Sequence, residues 1–259
     1  MADFVIIPDA SSDLTKALRE RFDIPDYVRG TIYYADLDWE LMSPEQYYKS
    51  MSGRNVLFKT ASAARGNIVK VYERFMKEGK DILAISLSSA LSGTYQICQM
   101  IAEELMEKYP ERKIIVVDSM RYSTALSLLV IMACKKKMEG ATLEETAAFV
   151  EEKKHCIHQI GPMDDLFFLV KTGRISNFKA FFGSLMGINP MADFNRKGLS
   201  QVLGKFKGKQ KAFDAVIEYM RGTIINPQEQ IIFVAHSDRE QAAQTLAQRI
   251  REEFSPKEI

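Results

Sequence analysis

Ser92, Gly93 and Thr94 follow a serine-rich loop, which itself follows a short apolar, β-branched run from Ile82 to Ile85. That run is long enough for a buried strand and too short for a helix, and the spacing from Ser92 onward predicts a long helix. Strand, hydroxyl-rich loop and helix start together make an anion site. The first turn of a helix leaves its backbone N–H groups unpaired and carries about half a positive charge. Gly93 lets a ligand approach the backbone, and Ser92 and Thr94 add hydroxyl donors, so a phosphate or carboxylate is held without a lysine. The ordinary alternative is that Ser92 caps the helix.

Other residues of suitable type fall at comparable places. Asp9 follows the apolar run Phe4 to Ile7, Ser119 follows Ile114 to Val117, and His236 follows Ile231 to Ala235. In open α/β sheets such strand ends carry ligand groups, although an aspartate there also serves simply to form a turn. Gly173-Arg174 puts an arginine, which grips carboxylate or phosphate with two prongs, into an apolar neighbourhood; a surface loop arginine is the plain alternative. Lys205, Lys207, Lys209 and Lys211 repeat with a two-residue beat. They read either as a solvated strand edge and helix start or as a docking surface for a negatively charged partner. His155, Cys156 and His158 cluster without further ligands at a metal spacing, so they are assigned structural or surface roles and no metal is expected. No nucleophile elbow, Walker loop, GxGxxG or HExxH occurs, and Gly93 stands alone in its loop, which argues against a dinucleotide or triphosphate cradle. No nucleophile is paired with a base, so the site reads as one that holds an anion rather than transforming it.

These residues need elements to position them. Phe4–Ile7, Ile82–Ile85 and Ile114–Val117 predict strands, and each ends in hydroxyl or carboxylate residues and feeds a helix. The helices are predicted at Leu14–Phe22, from Ser92, and at Thr124–Lys137. Another amphipathic helix spans Arg65–Lys77, and Thr142 with Glu145 predicts a capping box for one running to about Lys154. Ser43-Pro44 opens a helix to about Ser52, Val28–Tyr34 alternates weakly as an edge strand, and Val56–Ser62 ends in two hydroxyl residues. Alternating strands and helices predict a parallel, doubly wound sheet whose loops share one edge, where Asp9, Ser92 and Ser119 converge. Beyond about residue 155 the style changes. Strands are expected at Leu166–Val170, Ile188–Asp193, Gln201–Lys205 and Ile231–Ala235. A short helix is expected at Phe178–Gly187, and longer ones at Lys209–Met220 and Asp238–Glu253. The predicted fold class is therefore α/β, with a Rossmann-like parallel-sheet domain at 1–155 and a smaller α+β domain at 156–259.

Bulk properties narrow the classes of function. A formal charge of +1 gives no field for nucleic acid or an anionic membrane. Three scattered cysteines without CxxC spacing fit a reducing compartment. No basic segment precedes the first apolar residues, and the longest apolar run, around Leu126–Cys134, is far short of a membrane span. These features predict a soluble, cytoplasmic protein with no stable membrane insertion. The chain is rich in phenylalanine (15) and methionine (13), several of them close together at Phe167, Phe168, Phe178, Phe181, Phe182 and Met186. Such residues line adaptable apolar pockets, although a plain core uses them too. An anion clamp beside an apolar cavity suits an amphiphile, a fatty acid.

With these residues assembled, the chain resembles the DegV family of fatty-acid-binding proteins, the carrier subunits of bacterial fatty acid kinases. The resemblance rests on Asp9-Ala-Ser-Ser-Asp13-Leu14 and on Ser88-Ser89-Ala-Leu-Ser92-Gly93-Thr94-Tyr95-Gln96. Val117-Asp118-Ser119 with Ser123, Lys171-Thr-Gly-Arg174-Ile-Ser176 and Ala235-His236-Ser237-Asp238 extend it over essentially the whole chain. It implies two domains with the acyl chain buried between or within them, and a carboxylate held by Thr60 and Ser92. It also implies that Arg174 serves the kinase encounter or the phosphate. In that scheme the protein is not the catalyst, needs no cofactor, and presents the carboxylate to a dihydroxyacetone-kinase-like subunit that makes an acyl phosphate from ATP. The family's TSQPS segment reads Thr60-Ala61-Ser62-Ala63-Ala64 here, its Lys-Pro-Ile reads Asn189-Pro190-Met191, and a position often filled by arginine is Lys207. The family's final segment, ending in histidine-glycine-proline-glycine, has no counterpart before Ile259.

The reading is a lipid-binding carrier in which the hydroxyls of Thr60 and Ser92, with the Gly93 amide, receive a long-chain fatty acid's carboxylate. Arg174 and Lys207 face a kinase or phosphate, while Asp9, Ser119 and His236 support the site. Ser92→Ala then weakens binding modestly, and narrowing the cavity abolishes it. The rival is a phosphate-ester isomerase or transferase using the same helix-terminal site, with His236 as acid or base.

Overall fold

The computed structural model describes residues 3–33, 42–51, 59–163, 174–176 and 188–259. The chain divides into two compact units. One comprises Met1–Tyr33, Lys59–His158 and Arg196–Gly198, the other Tyr34–Phe58, Gln159–Asn195 and Leu199–Ile259. The division expected from sequence, at residue 155, is contiguous, whereas each of these units is drawn from three separate stretches of the chain.

In the first unit β1 (Phe4–Pro8) is followed by a 3-10 turn (Ala10–Ser12) and α1 (Lys16–Arg21). The cap of α1 is Thr15, whose hydroxyl accepts from Leu18 N. Asp9 caps the 3-10 turn. β2 (Thr31–Tyr33) returns to pair antiparallel with β3 (Lys59–Ala61) in a ribbon of two strands. Between them in sequence lies α2 (Pro44–Met51), in the second unit, opened by Ser43 as expected: Ser43 and Gln46 exchange side-chain-to-backbone bonds and Pro44 takes the first position. Then come α3 (Arg65–Lys77), β4 (Asp81–Ser86), α4 (Thr94–Lys108), β5 (Ile114–Asp118), α5 (Ser123–Met138) and α6 (Leu143–Lys153). The capping box of Thr142 with Glu145 is present at the start of α6.

β1, β4 and β5 form a parallel sheet in the order β1-β4-β5. Alternate residues point to opposite faces, and both faces are covered, which is why these strands read as continuous apolar runs. Val5, Ile7, Ile82 and Ala84 pack under α3 and α4 against Tyr72, Phe75, Cys98 and Ile101. Phe4, Ile6, Leu83 and Ile85 pack against α5 and α6 through Leu126, Leu129, Ala133 and Val150. The thiols follow this layering: Cys98 and Cys134 are buried and Cys156 is exposed. Burial pushes Cys98 up to about 11 and Cys134 up to about 12. A native-state titration with a thiol-reactive disulfide at neutral pH is therefore expected to modify Cys156 promptly and the other two only in denaturant. Prompt reaction of all three would contradict this packing.

The second unit holds a sheet in the order β6-β8-β9-β7: β6 (Gly161–Pro162), β7 (Ile175–Ser176), β8 (Ile188–Phe194) and β9 (Ser200–Lys207). α7 (Lys209–Thr223) follows β9, and α8 (Glu240–Phe254) packs on it through Ile217, Ile250 and Phe254. One expectation is corrected here. Ile231–Ala235 is not a strand; apart from an isolated bridge between Ile231 and Glu258 the segment has no ladder, although Ile232 and Val234 still pack on the α7–α8 core. An apolar run needs a continuous partner edge to become a strand, and the pairing with Glu258 stops at that one bridge, with Ile232 N donating to Glu258 O. The strand expected at Leu166–Val170, the helix at Phe178–Gly187 and the apolar residues Phe167, Phe168, Phe178, Phe181, Phe182 and Met186 lie outside the described residues. Among the described residues no helix is long and apolar enough to cross a membrane.

Candidate functional site

The C-terminal edge of the parallel sheet gathers the three loops expected there. Asp9, at the end of β1, is buried, with Oδ1 accepting from Ser11 N (3.0 Å) and the Ser11 hydroxyl, and Oδ2 from Ser86 Oγ (3.1 Å) and Leu87 N (2.6 Å). Asp118, at the end of β5, accepts from Ser89 N (3.1 Å) and Met120 N (3.0 Å). Ser119 is fully buried; its hydroxyl accepts from Arg121 N and donates to Arg121 O, closing a turn. Asp9, Ser86, Ser119 and the loop after β4 are thus joined, since Ser119 N also donates to Ser86 O. The joining groups are spent on one another: these side chains fix the loop that leads to Ser92. Arg121, which the sequence reading did not single out, is buried beside them and donates to Ile157 O and Met120 O. Ser88 fastens the same loop by donating to Gly198 O at 2.7 Å.

At the end of that loop lies a hydroxyl cluster, tied to it by Ser92 N, which donates to Ser88 O at 3.3 Å. Ser92 is half-buried. Its Oγ lies 3.0 Å from Thr94 Oγ1 and 3.3 Å from Ser62 Oγ, and it accepts from Thr94 N at 3.3 Å. Thr94 is buried, and its Oγ1 accepts from Ala63 N at 3.2 Å. Gly93 is the cap residue of α4 and makes no side-chain cap bond, so the serine before it satisfies the first-turn N–H in its place. Of the two sequence readings of Ser92, the geometry bears on the capping one: its hydroxyl serves the helix terminus from one residue before the cap position. Gly93 also sits close to the neighbouring hydroxyl. A Cβ at this position would stand 3.2 Å from Ser62 Oγ, tighter than ordinary contact.

Of the two hydroxyl residues Thr60 and Ser62, on and just after β3, Ser62 is the one within hydrogen-bonding distance of Ser92. Thr60 is exposed on β3, opposite Ile32. From the sequence, Ser62 carries no site role and only closes the run Val56–Ser62. The available signal was its spacing: two residues beyond Thr60, past the last paired residue of the ribbon, Ala61.

The remaining predicted residues belong to the second unit. Arg174 is exposed immediately before β7, Lys207 is exposed at the end of β9 opposite Ile188, and His236 is exposed with Nδ1 accepting from Arg239 N at 3.2 Å. An open groove of about 490 Å³ lies along α7, walled by Phe206, Ile217 and the ion pair of Asp214 with Arg249, among others. Among the described residues no group of three or more histidine, cysteine or acidic side chains is placed to hold a metal ion.

One unit with a parallel sheet covered by helices on both faces and a hydroxyl cluster at a helix start, and a second unit with a mixed sheet, define a two-unit α/β protein. The chain belongs to the DegV family: the model described as "Uncharacterised protein, DegV family" matches residues 3–259. A DegV domain-containing protein of Clostridium perfringens is 36% identical across the whole chain and 90% of that relative. Among solved structures, a DegV lipid-binding protein from Thermotoga maritima superposes with a TM-score of 0.85 at 25% identity, covering 99% of this chain and 89% of that one. A DegV family protein from Eubacterium eligens, loaded with heptadecanoic acid, has the same fold, with a TM-score of 0.84 at 17% identity, covering 98% of this chain and 90% of the other.

Proposed function

We propose that this protein binds a long-chain fatty acid and presents its carboxylate to a separate ATP-dependent kinase subunit. The observation that carries the reading is the joined hydroxyl cluster at the start of α4, in a chain of the DegV family. The bound fatty acid and the lipid-binding description of the neighbouring structures support it. The hydroxyls of Thr60 and Ser92 and the Gly93 amide receive the carboxylate, as the family resemblance implies, and Ser62 stands beside Ser92. The second unit completes an apolar cavity for the tail, and Arg174 and Lys207 meet the kinase or the transferred phosphate. Asp9 and Ser119 hold the loop in shape from behind. The role is that of a carrier without a cofactor, working in the bacterial cytoplasm.

Neutral donors suit this task. A carboxylate bonded by hydroxyls and an amide keeps its charge and its nucleophilic oxygen, whereas a tight ion pair would tie both up. The energetics divide unequally between head and tail. One hydrogen bond to a charged group contributes about 1.5–3 kcal/mol. Burial of the tail contributes about 0.8 kcal/mol per methylene, so ten buried methylenes contribute about 8 kcal/mol. Ser92→Ala is therefore expected to weaken fatty acid binding about tenfold without abolishing it. The check is a fluorescent fatty acid titration of both proteins, and equal affinities would remove Ser92 from the clamp.

The deciding experiment is mass spectrometry of lipid extracted from the purified protein. A fatty acid recovered in stoichiometric amount supports the reading. A phosphorylated small molecule in its place, with no uptake of added fatty acid, would replace it with the phosphate-ester alternative.

A further inference from the structure

The hydrogen bonds around Thr94 determine more than a shape. A backbone N–H can only donate, so Thr94 Oγ1 is the acceptor in its bond with Ala63 N. The Thr94 hydroxyl proton is then left for another acceptor. Among the described residues the other partner of that oxygen is Ser92 Oγ, 3.0 Å away, and Thr94 is only 4% exposed, so water does not serve in its place. Ser92 Oγ accordingly receives two donors, the Thr94 hydroxyl and Thr94 N at 3.3 Å. Both its lone-pair directions are occupied, and its own proton is turned outward, toward Ser62 Oγ or an incoming ligand atom. The chain runs one way, from the Ala63 amide through Thr94 to Ser92.

We propose that Thr94 is a positioning residue that fixes the Ser92 hydroxyl as an outward donor, so that the clamp selects an acceptor-only head group, a carboxylate, over a neutral hydroxyl head. A carboxylate offers no proton and needs a donor facing it. An alcohol donates or accepts, so it tolerates Ser92 in either orientation and gains nothing from Thr94. The selection also needs no basic side chain. Resting on the fatty-acid reading above, it adds to it the basis of head-group selectivity.

The test compares oleate with oleyl alcohol as ligands for the wild type, Thr94→Val and Thr94→Ser. Valine keeps the shape and deletes the hydroxyl; serine keeps the hydroxyl. Thr94→Val is expected to weaken oleate binding about three- to tenfold, as a charge-assisted bond loses its preset direction, and to leave oleyl alcohol within about twofold. Thr94→Ser is expected to restore the wild-type ratio. Loss of affinity for both ligands alike would show a merely structural role and overturn the proposal, as would an unchanged ratio. Neutron diffraction of the ligand-free, deuterium-exchanged protein reads the same relay independently of binding. A deuteron on Thr94 Oγ1 directed at Ser92 Oγ supports it, and one directed from Ser92 Oγ at Thr94 overturns it. A wild type that takes up no oleate would refute the fatty-acid reading alone, and the neutron map would still decide the direction at Thr94.

Discussion

Asp9→Ala is expected to lower the unfolding free energy by about 3 kcal/mol, because the alanine leaves several buried donors without an acceptor. The carboxylate takes Ser11 N and the Ser11 hydroxyl on one oxygen, Ser86 Oγ and Leu87 N on the other. Each orphaned buried donor costs about 1–3 kcal/mol, and relief of the buried charge offsets part of the sum. A urea titration monitored by circular dichroism measures the change; a midpoint equal to the wild type's would mean that water replaces the carboxylate without loss. Asparagine does not rescue the site fully, since its NH₂ faces donors where an acceptor is required.

The same carboxyl gives a pH signature with a definite sign. Burial pushes Asp9 above its ordinary value of 3.8 despite the hydrogen bonds that pull it down. The folded protein therefore holds this proton more tightly than the unfolded chain does. The resulting stabilisation is complete below the unfolded value and is lost as pH rises through the raised folded value. Subtracting the stability of Asp9→Asn from that of the wild type isolates this contribution from the other carboxylates. The difference is expected to shrink as pH rises across that window, and a difference that grows would sink the assignment.

The second large effect is expected at Gly198, in the turn Arg196–Gly198 that belongs to the first unit. Its φ of +74° lies in the left-handed region, and an added Cβ would stand 2.1 Å from Ser88 Oγ and 3.3 Å from Met120 Cα. Ser88 is fully buried, and its hydroxyl donates to the Gly198 carbonyl. It cannot swing away without giving up that bond. Backbone strain of about 1–2 kcal/mol and a buried hydrogen bond of similar worth together set the cost of Gly198→Ala at about 3 kcal/mol. Removing the obstructing hydroxyl should make part of this disappear. In a double-mutant cycle, Ser88→Ala with Gly198→Ala is expected to be less destabilising than the two single changes added, by about 1 kcal/mol or more. Strict additivity of the measured unfolding free energies would show that the close approach is not what makes glycine necessary.

These two sites mark where reading the chain in order stops being sufficient. The strands Phe4–Pro8, Asp81–Ser86 and Ile114–Asp118 were legible because burial on both faces leaves an unbroken apolar run bounded by polar residues. The capping box at Thr142 and the Ser43-Pro44 helix start were legible because their partners lie three residues away. Local chemistry of this kind needs no tertiary context. Ile231–Ala235 shows the converse: its composition suits a strand, yet a ladder needs an edge, and the edge is a property of the fold.

The site divides along the same line. That a serine, a glycine and a threonine fall at a helix start was legible in the sequence alone, because an apolar strand run and a helical spacing bracket them. Which hydroxyls meet was decided by tertiary structure. Ser62 and Ser92 are thirty positions apart in the chain, and only the course of the ribbon past Ala61 sets Ser62, with Thr60 exposed behind it, against Ser92. Asp9 and Ser119 likewise had the right types at the right strand ends, but the fold consumed their hydrogen-bonding capacity in holding the loop. A residue's chemistry is written in its type; whether that chemistry faces a ligand or a neighbour depends on which other donors and acceptors the packed chain brings within three ångströms of it.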